Sequence, residues 1–319
     1  MAPNSAPLFR IGHPPPQRWP LIRRFVDSQL PDDARRLQWR SVLDGIAGGE
    51  LPAGGLIEAR SSAPSDSLFG VIWIQPQDGR VASLLTPVVS DLVLGQPHAQ
   101  RIAHELLEAA VGIAAVGGAR LVQALVEFYP QTVADRLLRA GFREIAKLHY
   151  LVGPPESFPA SPPTEDLEFE PWTAAANGRL ESLVERSYIG TRDCPQLNGV
   201  RLTAEVLAGY RGIGSFDPAR WLLVRHAGQD VGCLLLTEHP QKIWELAYMG
   251  LTPEARGHGW GLQLTRQGQW LARQAGASRF VLAVDATNEP ALRAYAAAGL
   301  VCWDRRGAWL RILDPANKQ

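Results

Sequence analysis

Through the C-terminal half of the chain, apolar residues collect in short runs rich in branched and aromatic side chains: WLLVRHA (Trp221 to Ala227), VGCLLLTE (Val231 to Glu238) and KIWELAYMGL (Lys242 to Leu251). Runs of this length predict strands, AGQD between the first two predicts a hairpin turn, and the three together predict an antiparallel meander. The period then lengthens. From Trp260 the apolar or small positions 260, 264, 268, 271 and 275 recur at helical spacing, and Gly276 stands where a helix C-terminal glycine belongs. RFVLAV (Arg279 to Val284) predicts a short buried strand. Asn288 suits the cap of a second helix, with Glu289 and Pro290 in its first turn, that runs to Gly299. AWLRIL (Ala308 to Leu313) predicts a closing strand.

The N-terminal half repeats this order more weakly. GGLIEAR, SLFGVIWIQP and VASLLTPVV read as three strands, His98 to Val116 as a helix, ARLVQALVEF as a strand, and TVADRLLRAGF as a short helix ending in Gly-Phe before REIAKLHYLV. Gly141 and Gly299 then mark corresponding points of two copies, the pattern an internal duplication leaves. Between the copies, GPPESFPASPPTED (Gly153 to Asp166) replaces periodic apolar residues with prolines, serines and acids, the composition of a linker. The expected division is 1–152, a linker over 153–166, and 167–319.

Gross composition restricts the function classes. The 319 residues are 46% hydrophobic and 20% charged, ordinary values for a globular protein of two domains. Lysine plus arginine and aspartate plus glutamate balance at 32 each, so no global field favours nucleic acid or an anionic membrane, and the arginines near Arg23 and Arg35 read as solvated helix faces. The N-terminal segment lacks the basic and apolar regions of a secretory signal, and no stretch nears 18 uninterrupted apolar residues, so the expectation is a cytoplasmic protein. Three scattered cysteines, Cys194, Cys233 and Cys302, form no CxxC pair and imply reduced thiols.

Residues 250 to 264, GLTPEARGHGWGLQL, put glycines at 257, 259 and 261 between a predicted strand and a predicted helix. Backbone NH groups at a helix N-terminus lack partners and sit at the positive end of the dipole. Glycines there let the backbone approach an anion, and Arg256 adds charge, so the segment reads as a phosphate-binding loop. It lacks the lysine of a P-loop, and Leu262 occupies the third glycine position of a dinucleotide fingerprint. A tight turn serving helix-on-sheet packing would use the same residues.

LTPEARGHGWG, the strand FVLAVD and NEPALRAYAAAGL together resemble the GNAT (GCN5-related N-acetyltransferase) superfamily, whose pattern [QR]xxGx[GA] followed by NxxAxxxYxxxG[FL] is filled by Arg256, Gly259, Gly261, Asn288, Ala291, Tyr295, Gly299 and Leu300. The resemblance covers roughly Leu167 to Leu313. It implies an α/β (α+β) fold of two tandem GNAT-like domains, each a mixed, mainly antiparallel twisted sheet flanked by helices. It also implies acetyl-CoA as co-substrate, with its pyrophosphate on the glycine loop and contacts from Met249, Gly250, Leu251, Arg256, Gly257, His258, Gly259, Trp260, Gly261 and Asn288. His258 reads equally as a solvent-facing residue, and capping alone would explain Asn288.

An amine must lose its proton before attacking a thioester, and a carboxylate facing the acceptor is a suitable base. Glu245, in the strand leading into the loop, matches the catalytic glutamate of some family members; an ion pair on an exposed strand face is the competing reading. Alternation puts Glu245, Ala247, Met249 and Leu251 on one face and Trp244, Leu246 and Tyr248 on the other. Tyr295 matches the family's general acid for the leaving thiolate, and backbone NH groups of Tyr248 to Leu251 would meet charge on the carbonyl oxygen. Family members build acceptor pockets in the segment that holds YIGTRDCPQLNG here, so Tyr188, Arg192 and Asp193 are expected acceptor contacts.

Several conspicuous residues add no chemistry. His226 and His239 have no spaced partner for a metal, so no metal site is expected. Cys194 has no base nearby in sequence and reads as a small buried thiol, while the ten tryptophans, Trp244, Trp260 and Trp270 among them, read as core or cleft wall. In the N-terminal half the corresponding loop, SDLVLGQPHAQ, carries one glycine, and Leu137 stands at the tyrosine position. That half is expected to bind no cofactor and to brace the fold. Two functions remain: an N-acetyltransferase acting on a small-molecule or peptide amine, as monomer or homodimer with neither nucleic acid nor membrane as partner, or a non-catalytic acyl-CoA-binding regulatory module.

Overall fold

The computed structural model describes residues 9–30, 34–62, 66–90, 95–127, 131–163 and 166–313. The chain divides into two compact units: Met1–Glu144 with Ala308–Gln319, and Ile145–Gly307.

In the first unit, β1 (Phe9–Gly12), β2 (Leu56–Ser61), β3 (Leu68–Gln77) and β4 (Val81–Val89) pair antiparallel in sequence order, and β5 (Leu121–Val126) joins β4 in parallel over Val81–Ser83. α1 (Trp19–Gln29) and α2 (Ala34–Ala47) bury Ile22, Val26 and Trp39 against Trp73 and Val88. Elsewhere α3 (Gln96–Val116) and α4 (Gln131–Arg139) close a core of Ile102, Leu106, Leu137 and Phe142. α1 exposes its arginines around only two buried positions, which is why its sequence reads as polar rather than as a core helix.

The second unit orders its strands β6 (Arg143–Gly153), β11 (Arg279–Asp285), β10 (Ile243–Leu251), β9 (Gln229–His239), β8 (Trp221–His226) and β7 (Glu168–Pro171). All neighbours are antiparallel except β10 and β11. β8 and β9 turn at Ala227 and Gly228, both at positive φ (48° and 78°), the twist a two-residue hairpin requires. α5 (Asn177–Tyr188) and α6 (Thr203–Arg211) cover one face through Leu180, Leu183, Leu207, Leu223 and Leu235. α7 (Trp260–Gln274) and α8 (Glu289–Ala297) cover the other with Leu234, Leu236, Trp244, Phe280 and Leu282. A Cβ on Gly268 of α7 would lie 3.0 Å from the Phe280 ring, so the glycine sets how closely that helix lies on the sheet.

The unit boundaries fall inside β6 and β12 rather than at the proline-rich stretch. Within the proline-rich stretch, Phe158 is buried edge-on against Phe280, 6.3 Å between ring centres, so this part packs into the second unit's core. β6, which ends the first copy in sequence, pairs with β11 from Leu148 to Gly153. The last strand, β12 (Val301–Ile312), begins in the second unit and ends in the first, where Trp309 is buried with Leu106 and Phe142. β12 starts at Val301 rather than Ala308 because pairing recruits VCWDRRG, a segment too polar and exposed to be read as a strand.

Candidate active site

β10 and β11 hydrogen-bond in parallel only from Ile243 to Glu245 against Arg279 to Val281. Beyond that point β11 continues to Asp285 paired with β6, while β10 continues to Leu251 paired with β9, so the sheet splits. The register of β10 on β9 shifts between Leu246 and Tyr248, leaving Ala247 as a bulge. From Ala247 to Leu251 one edge of β10 therefore faces the split with backbone NH and carbonyl groups that no β11 strand meets. The first unit repeats the arrangement: β4 pairs β5 only over Val81–Ser83, and the β3–β4 register shifts between Val71 and Trp73.

The bulge corrects the strand-alternation reading. Glu245 and Met249 do not share a face: Met249 packs with Trp244 and Leu246 on the α7 side, whereas Tyr248 packs with Tyr188 and Tyr210 on the α5 side. Glu245, adjacent to Trp244, lies opposite Met249.

At the end of β10 the glycine loop leads into α7, whose N-cap is Gly259. Gly257 and Gly259 take φ of +84° and +77°, which a side chain would strain, and a Cβ at either would meet nothing within 4 Å. Gly261 lies in the first turn, near the Ala294 Cβ. The loop thus presents open ground beside the unpaired first-turn NH groups of α7. Trp260 stacks on His258 (4.9 Å between ring centres) and meets His226 at 4.7 Å. Arg256 spends its donors on carbonyls: Nη1 to Ile189 (2.7 Å), Nη2 to Ser187 (2.8 Å) and Nε to Leu251 (3.3 Å). It ties the loop to the C-terminal end of α5, where its charge also complements the helix dipole.

Glu245 is partly exposed, and its Oε2 accepts from His239 Nε2 at 2.5 Å. That hydrogen bond raises the His239 pKa from its ordinary value against the opposing effect of burial. Tyr295 sits on the other face, 7% exposed, packed with Leu282, Val284 and Met249. Burial, and after it the Asp193 carboxylate, pushes its phenol well above the ordinary value, so the hydroxyl stays protonated. The split is therefore flanked by a carboxylate on one face and a protonated phenol on the other.

The acceptor segment folds over the end of β11. Asp285, 3% exposed, accepts from the Thr287 backbone (2.9 Å) and hydroxyl (2.8 Å) through Oδ1 and from the Cys194 backbone (3.2 Å) through Oδ2. Asp193 Oδ1 accepts in return from the Asp285 backbone at 2.9 Å, and the Asp193 carboxyl also accepts from the Asn288 side chain. Asp193 is exposed as a residue while its carboxyl turns inward, and burial followed by the Asp285 charge raises its pKa. Asn288 also caps α8, its Oδ1 accepting from the Ala291 NH at 3.4 Å. Burial pushes the Cys194 thiol up to about 12, too high for a thiolate nucleophile near neutral pH. Tyr188 packs edge-on to Tyr248 (6.1 Å), its phenol pushed by burial up to about 12, and the Tyr248 hydroxyl meets Ser187 Oγ at 2.5 Å. Arg192 lies exposed on the segment.

The structure thus gathers Asp193, Asn288 and Tyr295 around the end of β11, sets Arg256 against α5, and leaves Arg192 at the surface. Asp285 and His239 were not singled out as site residues from sequence. An acid that ends an apolar strand just before a capping asparagine is the signal that points to Asp285. Among the described residues, no group of three or more His, Cys, Asp or Glu side chains is placed to hold a metal ion, and no helix is long and apolar enough to cross a membrane. In the first unit, Arg35 Nη2 donates to the Thr86 (3.2 Å) and Pro87 (2.9 Å) carbonyls at the β4 irregularity, and Leu137 is fully buried. The loop reading at SDLVLGQPHAQ falls partly on residues 91–94, outside the described residues.

Residues 192–300 match the model of the Acetyltransferase (GNAT) family, so the chain carries a GNAT domain. Mycothiol acetyltransferase of Thermomonospora curvata is 38% identical over 84 residues, 26% of this chain and 28% of that protein. The matched region spans about a third of the length of several such relatives. Mycothiol acetyltransferase of Streptomyces bingchenggensis aligns over 88% of this chain and 86% of its own length at 26% identity. A GCN5-related N-acetyltransferase crystal structure from Sphaerobacter thermophilus superposes over 97% of both chains with a TM-score of 0.60 at 17% identity. A tandem GNAT protein from the clavulanic acid biosynthesis pathway covers 97% of this chain and 100% of its own, with a TM-score of 0.50 at 14% identity. The fold is the tandem GNAT fold, mixed α/β with mainly antiparallel sheets.

Proposed function

We propose that the chain, which carries a GNAT domain in its C-terminal half, is an acetyl-CoA-dependent N-acetyltransferase that acts by direct attack of an amine in a ternary complex. The observation that carries this reading is the split between β10 and β11 with Glu245 on one face and Tyr295 on the other. The mycothiol acetyltransferase name of the relatives supports a small-molecule amine as acceptor.

The residues present fit acetyl-CoA, which when bound supplies an acyl group activated as a thioester. Gly257, His258, Gly259, Trp260 and Gly261 would hold the pyrophosphate through the open, positive-φ loop and the NH groups opening α7. The unpaired edge of β10, including Met249, Gly250 and Leu251, would receive the extended pantetheine arm as an added strand. Glu245 takes the proton of the acceptor ammonium, directly or through water, because an alkylammonium of pKa ~10 has no free lone pair. The amine nitrogen then bonds to the acyl carbon as the carbon–sulfur bond breaks, and the second proton that the nitrogen sheds in becoming an amide passes through water to replace the one Tyr295 gives up. Tyr295 donates its hydroxyl proton towards the departing sulfur, and NH groups of the β10 edge meet the charge on the carbonyl oxygen. Asn288 braces α8 and the acceptor segment together through Asp193.

We place acetyl-CoA binding in the second unit alone. In the first, Arg35 already occupies carbonyls at the corresponding β4 irregularity, and Leu137 supplies no hydroxyl. Calorimetric titration with acetyl-CoA, beside Gly259→Glu, tests this: one site in the parent and none in the variant is expected. Two sites would overturn the assignment, and no binding would overturn the function. Binding without thiol release across a panel of amines would turn the reading to a non-catalytic acyl-CoA module.

A further inference from the structure

On the face of the second sheet that carries Glu245, β11 and β6 are only partly covered: Val281, Val152 and Tyr150 are half-buried and Ala283 is exposed. Glu245 is in register with Val281, Val281 with Val152, and Ala283 with Tyr150, so these five share that face. The alternate residues Phe280, Leu282, Val284 and Leu151 are buried under α7 and α8 on the other side. α5 and α6 pack over β8, β9 and β10 through Leu180, Leu183 and Leu207, while Ala283 remains exposed. At the far side of this floor stands Trp303 of β12, 59% exposed and edge-on to Tyr150 with 6.3 Å between ring centres. Arg306 lies over the Tyr150 ring at 4.8 Å and is held by Asp304 at 2.8 Å. An indole left open on a floor of alanine, valine and tyrosine is costly exposed apolar surface in isolation, and here it is continuous with the base.

The geometry points to Trp303 and Tyr150 as the wall that selects the acceptor, and to an acceptor whose amine is joined by a short linker to a flat-faced ring. This inference rests on the acyl-transfer reading above. Two strand spacings and one two-residue step separate Glu245 from Tyr150, about 12 Å, with Trp303 one strand beyond. Subtracting roughly 3 Å for the amine's hydrogen bond and roughly 4 Å for a stacked ring leaves roughly 5 to 9 Å between the amine nitrogen and the ring centre. The acidic end fits the ammonium and the aromatic end fits an apolar ring face, which either an aromatic ring or the C–H face of a sugar provides.

The test compares n-butylamine, 4-phenylbutylamine and 3-aminopropyl glucoside as acceptors in a thiol-release assay, with the full-length parent and Trp303→Ala. Acetyl-CoA affinity is measured separately by calorimetry. A ringed amine should exceed n-butylamine in kcat/KM by tenfold or more, and which ringed amine does so tells the aromatic source from the sugar source. Trp303→Ala should raise KM for that amine about tenfold while leaving acetyl-CoA affinity and the n-butylamine rate unchanged. Trp303 is surface-exposed, and a matching thermal midpoint for the variant confirms that it folds. Equal use of all three amines, or equal loss on all of them in Trp303→Ala, overturns the wall. Loss of acetyl-CoA binding or of all turnover in the parent overturns the acyl-transfer reading instead.

Discussion

His239 and Glu245 face each other across the β9–β10 hairpin, Nε2 to Oε2 at 2.5 Å. His239 is opposite Ile243 in the ladder, so Glu245 is its diagonal neighbour two residues on. The hydrogen bond raises the His239 pKa above its ordinary 6.5. Because the folded value is raised, the pair's contribution to stability is complete below the ordinary value and fades as pH rises through the raised one. Proton NMR of the His239 ring should give a pKa above 6.5 in the parent that falls back in Glu245→Gln. An unchanged titration would show that the contact does not form in solution.

Tyr295→Phe should leave the acetyl-CoA dissociation constant nearly unchanged and slow thiol release with an accepted amine by about a hundredfold, the scale of one general acid. Unaltered turnover would remove Tyr295 from the chemistry and leave it a core side chain beside Leu282 and Val284.

Arg256 separates charge from shape. If it contributes only charge, Arg256→Lys should bind acetyl-CoA like the parent. Its three bonds to the carbonyls of Ser187, Ile189 and Leu251 need a planar fork that an ammonium does not reproduce. The expected result is faster amide hydrogen exchange across residues 187–194 in Arg256→Lys as well as in Arg256→Ala. Parent-like exchange in the lysine variant would discard the bracing role.

Gly250 of β10 lies directly beneath Ser187 of α5. A Cβ there would lie 2.6 Å from Ser187 Oγ and 2.7 Å from Ser187 Cβ, so Gly250→Ala forces the helix off the strand. The cost is about 1–3 kcal/mol in chemical denaturation. Adding Ser187→Gly should recover part of it, because both clashing atoms leave together; an additive further loss would place the strain elsewhere.

The meander, the helix from Trp260 and the Asn288 cap were legible because each is written in local spacing. Glu245 was legible as a carboxylate on the strand that leads into the glycine loop, but its face relative to Met249 was not, because one bulged residue at Ala247 reverses alternation without changing composition. His239 read as an isolated histidine because its partner is set by hairpin register rather than by sequence distance. Arg256 read as a charge for phosphate, while two of the three carbonyls it meets come from a helix end far away in the chain. Gly257 and Gly259 read as sites of close approach; the structure adds that their positive φ alone calls for glycine.

β12 sets the order in which the molecule can be finished. Trp309, 3% exposed, belongs to the core built by Leu106 and Phe142, so the unit synthesised first lacks a core residue until the chain has been made through the second unit as far as residue 309. A ribosome would therefore carry an unsealed first unit through synthesis of the whole second one. Cutting the gene at the proline-rich stretch would produce two fragments, each lacking a strand that the other carries.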